Sequence, residues 1–490
     1  MGRTRLLLLV AAFAVSLAWL RPFPSVRHGR VLGPDGPLAG ATVRYRGTAI
    51  ETRSDRRGLF ALPHLAETRR ITASRDGFLI GGTSGRSIHL TPLRTEDDEA
   101  YSWVDPTPDP ADASRCGNCH PTIHREWVGG GHARSATGRH FLDLYAGAGP
   151  SWSLLHEHPD GSGVCASCHA PSLAPHDPAL YDLRKIRGVA AHGTHCDFCH
   201  KVAGPGEGEV GFSHGRFGLH LSRPSEGQRF FGPLDDVDRG EDVHSPFMRD
   251  SRFCASCHEG VVFGVHVYTT YSEWQASPAG RAGRSCQSCH MRPTGRMTNI
   301  APGKGGVERD PATLGNHRFW DGSQAAMLRR CLDLGVEIGP ETTVRLTARG
   351  VGHRVPTGFI DRQLILSVEA EDAKGRAVAL EGPRLPPVVG AGLAGKVGRL
   401  YARRLRDEDG RSPAPFWRAL PEPIDTRLLP EVPDVLRFRL PDGAARLRVR
   451  VRHRRFWEEV RVAKGWESDD IVVIDRWIVV PNFGSAQFRW

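Results

Sequence analysis

"HGTHCDFCHKV", residues 192–202, places His192, His195 and His200 beside Cys196 and Cys199 within nine positions, just ahead of Lys201. Such a cluster suits a zinc ion, a redox dithiol or a haem. The rest of the chain decides among them. Cys-x-x-Cys-His occurs five times: Cys116, Cys119, His120; Cys165, Cys168, His169; Cys196, Cys199, His200; Cys254, Cys257, His258; and Cys286, Cys289, His290. At the chain's cysteine and histidine frequencies, random placement predicts about 0.01 such matches.

Two thiols three residues apart on one turn can form thioether bonds to the two vinyl groups of a haem, and the histidine that follows reaches the iron from the same face. Zinc would use Cys-x-x-Cys segments in pairs, five is odd, and zinc gives no role to a histidine after every second cysteine. A thioredoxin-like dithiol explains neither five copies nor the lack of a βαβ pattern around them. The motifs therefore imply five covalently attached haem c groups. The ten cysteines are the anchors, and His120, His169, His200, His258 and His290 are the proximal iron ligands. Cys331, in "LRRCLDLG", stands outside every motif and reads as a buried small hydrophobe.

Five irons have ten axial positions, and the motifs fill five. Residues 113–325 hold thirteen further histidines, so bis-histidine ligation throughout is open to this chain. His192 and His195 are poor candidates for the far side of their own motif's haem, because the turn already occupies its near face. One of them at most remains a candidate ligand for a neighbouring haem.

Working outward, the 490 residues exceed a single compact core. Residues 1–27 open with Arg3 and Arg5 and then fifteen residues, Leu6 to Leu20, that are apolar apart from Ser16. As a helix they would span about 22 Å, short of a hydrocarbon core of about 30 Å. They read as a signal peptide, with Ser16 and Ala18 at a small-residue cleavage site, or as an uncleaved anchor. Either way the expectation is export to the periplasm or the cell surface.

Residues 28–94 read as short strands between turns, with Pro34, Asp35 and Gly36 ahead of the alternating Ala41, Val43 and Tyr45. Residues 95–112, rich in Pro and Asp, read as a linker. Residues 113–325 carry ten of the eleven cysteines and little sustained periodicity, which points to a core built from something other than side chains. In 326–490 the β pattern returns. Val344, Leu346 and Ala348 alternate with polar residues, as do Leu447, Val449 and Val451 with arginines, and "IVVIDRWIVV" is apolar enough for a central strand. Arginines opposite an apolar face mark a solvated sheet, so the excess of 65 Lys and Arg over 55 Asp and Glu does not indicate a nucleic-acid partner.

The stretch "GPDGPLAGATVRYRGTAIETRSDRRGLF" resembles the carboxypeptidase regulatory-like domain, which implies a small N-terminal β-sandwich acting as a spacer or interaction module. "CGNCHPTIHREWVGGGHARS" resembles the opening haem segment of multihaem cytochromes of the c554 type, where a His-Ala histidine ligates an iron, and this maps onto His132. "FFGPLDDVDRGEDVHSPFMRDSRFCASCHE" and "NHRFW" are similar to later segments of that group and nominate His244 and His317. "GHRVPTGFIDRQL" resembles the start of the β-sandwich that follows the haem region in some of these proteins, which nominates His353.

The expected fold is multi-domain: an N-terminal small β-sandwich, a central haem-packed domain with short helices and much coil, and a C-terminal β-sandwich. The expected function is that of an exported pentahaem c-type cytochrome. It would carry electrons through closely spaced bis-His haems between a redox protein donor and acceptor, among them other cytochromes or a membrane-associated complex. The alternative is a multihaem oxidoreductase with one open haem, acting on a small nitrogen or sulfur compound. Pentahaem nitrite reductases resemble the chain in haem count but commonly carry a Cys-x-x-Cys-Lys motif, which is absent here.

Overall fold

In a computed structural model, residues 25–65, 67, 69–147, 149, 151–159, 165–319, 325–339 and 341–481 are described. The apolar N-terminal segment thus lies almost wholly outside the described residues. The chain is multi-domain, built of several β-sheets and short helices that do not exceed eight residues among those described. None of these helices is long and apolar enough to cross a membrane.

The chain divides into two compact units. In the first, two four-stranded sheets share one core: Val31, Phe60, Leu62 and Ile88 from one, and Val43, Tyr45, Ile71 and Ala73 from the other. Alternation explains the strands, since Phe60 and Leu62 are buried while Leu59, Ala61 and Pro63 between and beside them are exposed. This unit is discontinuous. It takes in Glu226–Ser245 and Val307–Asp310 from the middle of the cysteine-rich region. The strands Arg229–Gly232 and Glu241–His244 pair in parallel there. The acidic run between them docks on arginines: Asp235 with Arg44 at 2.8 Å, Asp236 with Arg309 at 2.7 Å, and Asp238 with Arg46 and Arg70. Asp236 also accepts the Gly47 N–H at 2.7 Å.

The second unit holds all five motifs and a C-terminal β region. There a three-stranded sheet (Leu332–Glu337, Thr342–Ala348, Pro433–Phe438) and a six-stranded sheet enclose a core that includes Leu346, Leu366, Leu436 and Val449. The strand Gln363–Asp372 is buried on both faces. Leu364 and Leu366 join that core, while Ile365 joins a second cluster with Trp457 and Trp466. The arginines of Ala444–Arg454 form cross-strand ion pairs, Arg448 with Asp475 at 2.6 Å and Arg446 with Glu371 at 2.5 Å.

One expectation fails here. "IVVIDRWIVV" is not a central strand, because Ile471–Val479 ends the order of its sheet and pairs with Ala444–Arg454 alone. Only one of its faces is covered, and Trp477 and Val479 are 44% and 77% exposed. Apolar composition reports burial on both faces only where a second layer packs on the far side.

Candidate haem-binding sites

Each motif lies on its own short helical segment, Cys116–Cys119, Cys165–His169, Cys196–His200, Arg252–His258 and Cys286–His290. The i, i+3, i+4 spacing therefore sets the two thiols and the imidazole on one turn. None of the eleven cysteines is in a disulfide. Among the described residues, which include every cysteine and histidine, no group of three or more His, Cys, Asp or Glu is placed to hold a metal ion by itself. The arrangement thus lacks the tetrahedral thiolate cage that zinc uses.

Neighbouring thiols reveal how the motifs meet. Cys116 and Cys196 are hydrogen-bond neighbours, as are Cys168 with Cys257 and Cys254 with Cys286, while Cys199 feels the charge of Cys257. Spatial order therefore differs from chain order. The first motif adjoins the third, the third adjoins the fourth, and the fourth also adjoins the second and the fifth. Burial pushes the Cys199 thiol up to about 12. The Cys254–Cys286 contact draws the Cys286 thiol down to about 7.

A first-row metal binds an imidazole nitrogen at about 2.0–2.1 Å, so two rings on opposite sides of one ion have centres about 6.3–6.5 Å apart. Two pairs come close to that spacing. His132 and His258 have centroids 6.1 Å apart, and His290 and His353 have centroids 6.2 Å apart. Burial brings His258 down to about 3 and His353 to about 4, so both rings are neutral with a lone pair to offer. Nδ1 of His353 faces the Arg354 carbonyl at 2.9 Å, that of His120 the Ile300 carbonyl at 2.7 Å, and that of His169 the Ser135 carbonyl at 2.7 Å. A carbonyl only accepts, so each Nδ1 carries the proton and each Nε2 keeps its lone pair. These residues fit haem c.

His317 is likewise brought down to about 3 by burial, with His200 and then His120 as its imidazole neighbours. His244 ends a strand of the first unit. His192 lies 3.5 Å from Asp105, with its ring 6.3 Å from that of Trp127. His195 caps the third motif's helix, where its Nδ1 accepts the Phe198 N–H at 3.3 Å. That bond leaves the proton of a neutral ring on Nε2. Gly193 between them has φ +63°, and a Cβ there would lie 2.2 Å from Ser135 Oγ, so only glycine lets this loop close on the His132 turn.

His169 differs from His258 and His290. Among the described residues no second imidazole stands at ligand spacing from it; the Phe141 ring instead stacks on it at 3.8 Å and 8°.

Residues beyond the motifs and the nominated ligands hold these histidines in place. Trp127 Nε1 donates to the Thr194 carbonyl at 3.0 Å, while Thr194 N–H donates to the His132 carbonyl at 3.1 Å. Glu126 accepts the backbone N–H of His317 at 2.9 Å. A second Glu-Trp pair repeats the scheme. Glu273 accepts the Arg354 N–H at 3.2 Å and the Thr357 hydroxyl at 2.9 Å, and a Cβ on Gly352 would sit 3.1 Å from the Trp274 ring. The recurring dipeptide, at 126–127 and 273–274, was the signal available in the sequence.

Among solved structures, a penta-heme cytochrome c552 from Thermochromatium tepidum superposes with a TM-score of 0.55. The match covers 74% of this chain and 97% of that one at 22% identity. The two chains share a fold. No protein-family model and no curated protein matches this chain.

Proposed function

We propose that the chain is an exported pentahaem c-type cytochrome that carries electrons between redox protein partners. The observation that supports this most directly is the pair of facing imidazoles, His132 with His258 and His290 with His353, each with one member inside a Cys-x-x-Cys-His motif. In this reading the five cysteine pairs anchor haem c and the five motif histidines are proximal ligands. His132 and His353 are distal ligands of the fourth and fifth sites, and His317 serves the third or the first. The bound groups would supply redox-active iron, and bis-histidine ligation closes it to substrate. The chain's own residues fix each imidazole's tautomer and orientation through backbone carbonyls. They also set the attachment sites side by side, with the fourth as the branch point. The N-terminal β unit and the C-terminal β region serve in this reading as sandwich-type flanking domains, and export runs through residues 1–27.

Haem content tests this. The purified protein should carry five haems per chain by pyridine haemochrome assay. Exchange of both cysteines of any one motif for serine should leave four, and a content that does not fall would refute attachment at that motif.

One observation favours a second reading, an oxidoreductase with an open site. His169 faces Phe141 where His258 and His290 face an imidazole. A high-spin EPR signal that responds to cyanide and disappears in the Cys165→Ser/Cys168→Ser variant would establish it. Five low-spin centres that ignore cyanide and nitrite would leave the carrier.

A further inference from the structure

The segment "GHRVPTGFIDRQL" does more than present His353. Its stretch 356–360 lines a small cavity in the second unit together with Arg362, Arg403 and Arg427. Arg427, 9% exposed, is satisfied: Glu273 lies at 2.7 Å, and Asp425 takes two of its donors at 3.0 and 2.7 Å. Asp425 is shared with Arg354 at 3.5 Å. Arg403 is 8% exposed and makes one hydrogen bond, from Nη1 to the Thr269 hydroxyl at 3.3 Å. No carboxylate among the described residues lies within 4 Å of it. Asp425 and Glu273 are thus in direct contact with Arg354 and Arg427, whereas the buried Arg403 guanidinium lines the cavity without a carboxylate in direct contact. Burial and the charge of Arg427 hold Arg403 below the usual arginine range, against the opposing pull of Asp425, Glu273 and Glu259. A buried charge with most of its donors unused calls for a counter-ion.

We infer that this cavity binds a small inorganic anion, held chiefly by Arg403 with Arg362 and Arg427 beside it. The enclosed space amounts to only ≈ 10 Å³. Sites for organic ligands run to roughly 300–1,000 Å³, so the occupant is a halide or an oxoanion of a few atoms. A planar guanidinium donates two parallel hydrogen bonds to such an oxoanion. The site also adjoins the redox region, because the charge of Arg362 reaches His258 and Tyr268, and Tyr268 in turn feels Cys165 and Cys168. A bound anion therefore offsets positive charge beside the fourth motif. That consequence rests on the haem reading; the binding itself does not.

The test uses the intact holoprotein and two probes, bromide in crystals and nitrite in calorimetry. An anomalous bromide peak between Arg362, Arg403 and Arg427 is expected, as is nitrite binding weakened about ten- to a hundredfold in Arg403→Gln. Arg403→Lys, which keeps the charge, should bind within about tenfold of the parent. An empty cavity at saturating bromide, or equal nitrite affinity in parent and Arg403→Gln, overturns the assignment. Should Arg403→Gln fail to fold, the parent soak and Arg403→Lys still decide it.

Discussion

Replacement of His353 by Ala is expected to turn one haem in five from low-spin to high-spin, with no loss of haem content. His353 faces His290 at 6.2 Å, and alanine offers the iron nothing in its place. The effect is all-or-none at one site, which makes it the largest spectroscopic change a single substitution should produce. His132→Ala should do the same at the fourth site, where His258 stands 6.1 Å away. His140→Ala is the control. Its ring packs at 4.6 Å on Trp466 and 5.1 Å on Phe456 rather than on an imidazole, and its spectrum should match the parent's. EPR and the electronic spectrum of the oxidised protein read the result. A His353→Ala protein with the parent's low-spin spectrum would sink the assignment. The experiment also probes the domain arrangement, since His353 belongs to the C-terminal segment and reaches the fifth motif only because Glu273 and Trp274 grip residues 352–357.

The largest loss of stability is expected from Lys201→Met, in the stretch that follows the third motif. Lys201 Nζ lies 2.5 Å from Asp197 Oδ1, and both side chains have no exposed surface. Asp197 also accepts the Tyr101 hydroxyl at 2.9 Å and the Val104 N–H at 2.8 Å, and Lys201 sits over the Tyr101 ring at 4.9 Å. One buried pair therefore ties the linker segment around 101–104 to the third motif. Methionine matches the length of lysine but leaves the carboxylate without its cation, which costs about 3–5 kcal/mol for a buried pair broken on one side. An exposed pair is worth about 0–1 kcal/mol. Arg184→Met, which breaks the Arg184–Asp182 pair at a 60% exposed side chain, should therefore barely move the unfolding midpoint. Urea unfolding followed by tryptophan fluorescence compares the two. A Lys201→Met midpoint as close to the parent as that of Arg184→Met would show that Asp197 is held by Tyr101 and Val104 without help.

Much of this was legible in the sequence because it is local. A cysteine three residues before another, with a histidine next, meets on one helical turn whatever surrounds it, and "HGTHCDFCHKV" and its four siblings fold that way. Alternation was equally readable where a sheet has one covered face, as in Thr342–Ala348 and Ala444–Arg454. Other features were settled by contacts between distant segments. The choice of partner for each motif histidine was not readable among so many spare histidines, because an imidazole's sequence neighbours do not say which ring it will face. The docking of Asp235, Asp236 and Asp238 on Arg44, Arg46, Arg70 and Arg309 in the first unit was hidden for the same reason. So was the edge position of Ile471–Val479, which depends on whether another strand arrives beside it. The sequence alone determined where five paired thiols and their histidines stand, since a helical turn specifies that geometry by itself. Only the tertiary structure decided that His132 meets His258, that His353 meets His290 and that the fourth motif is the junction, since those distances are set by packing across the whole unit.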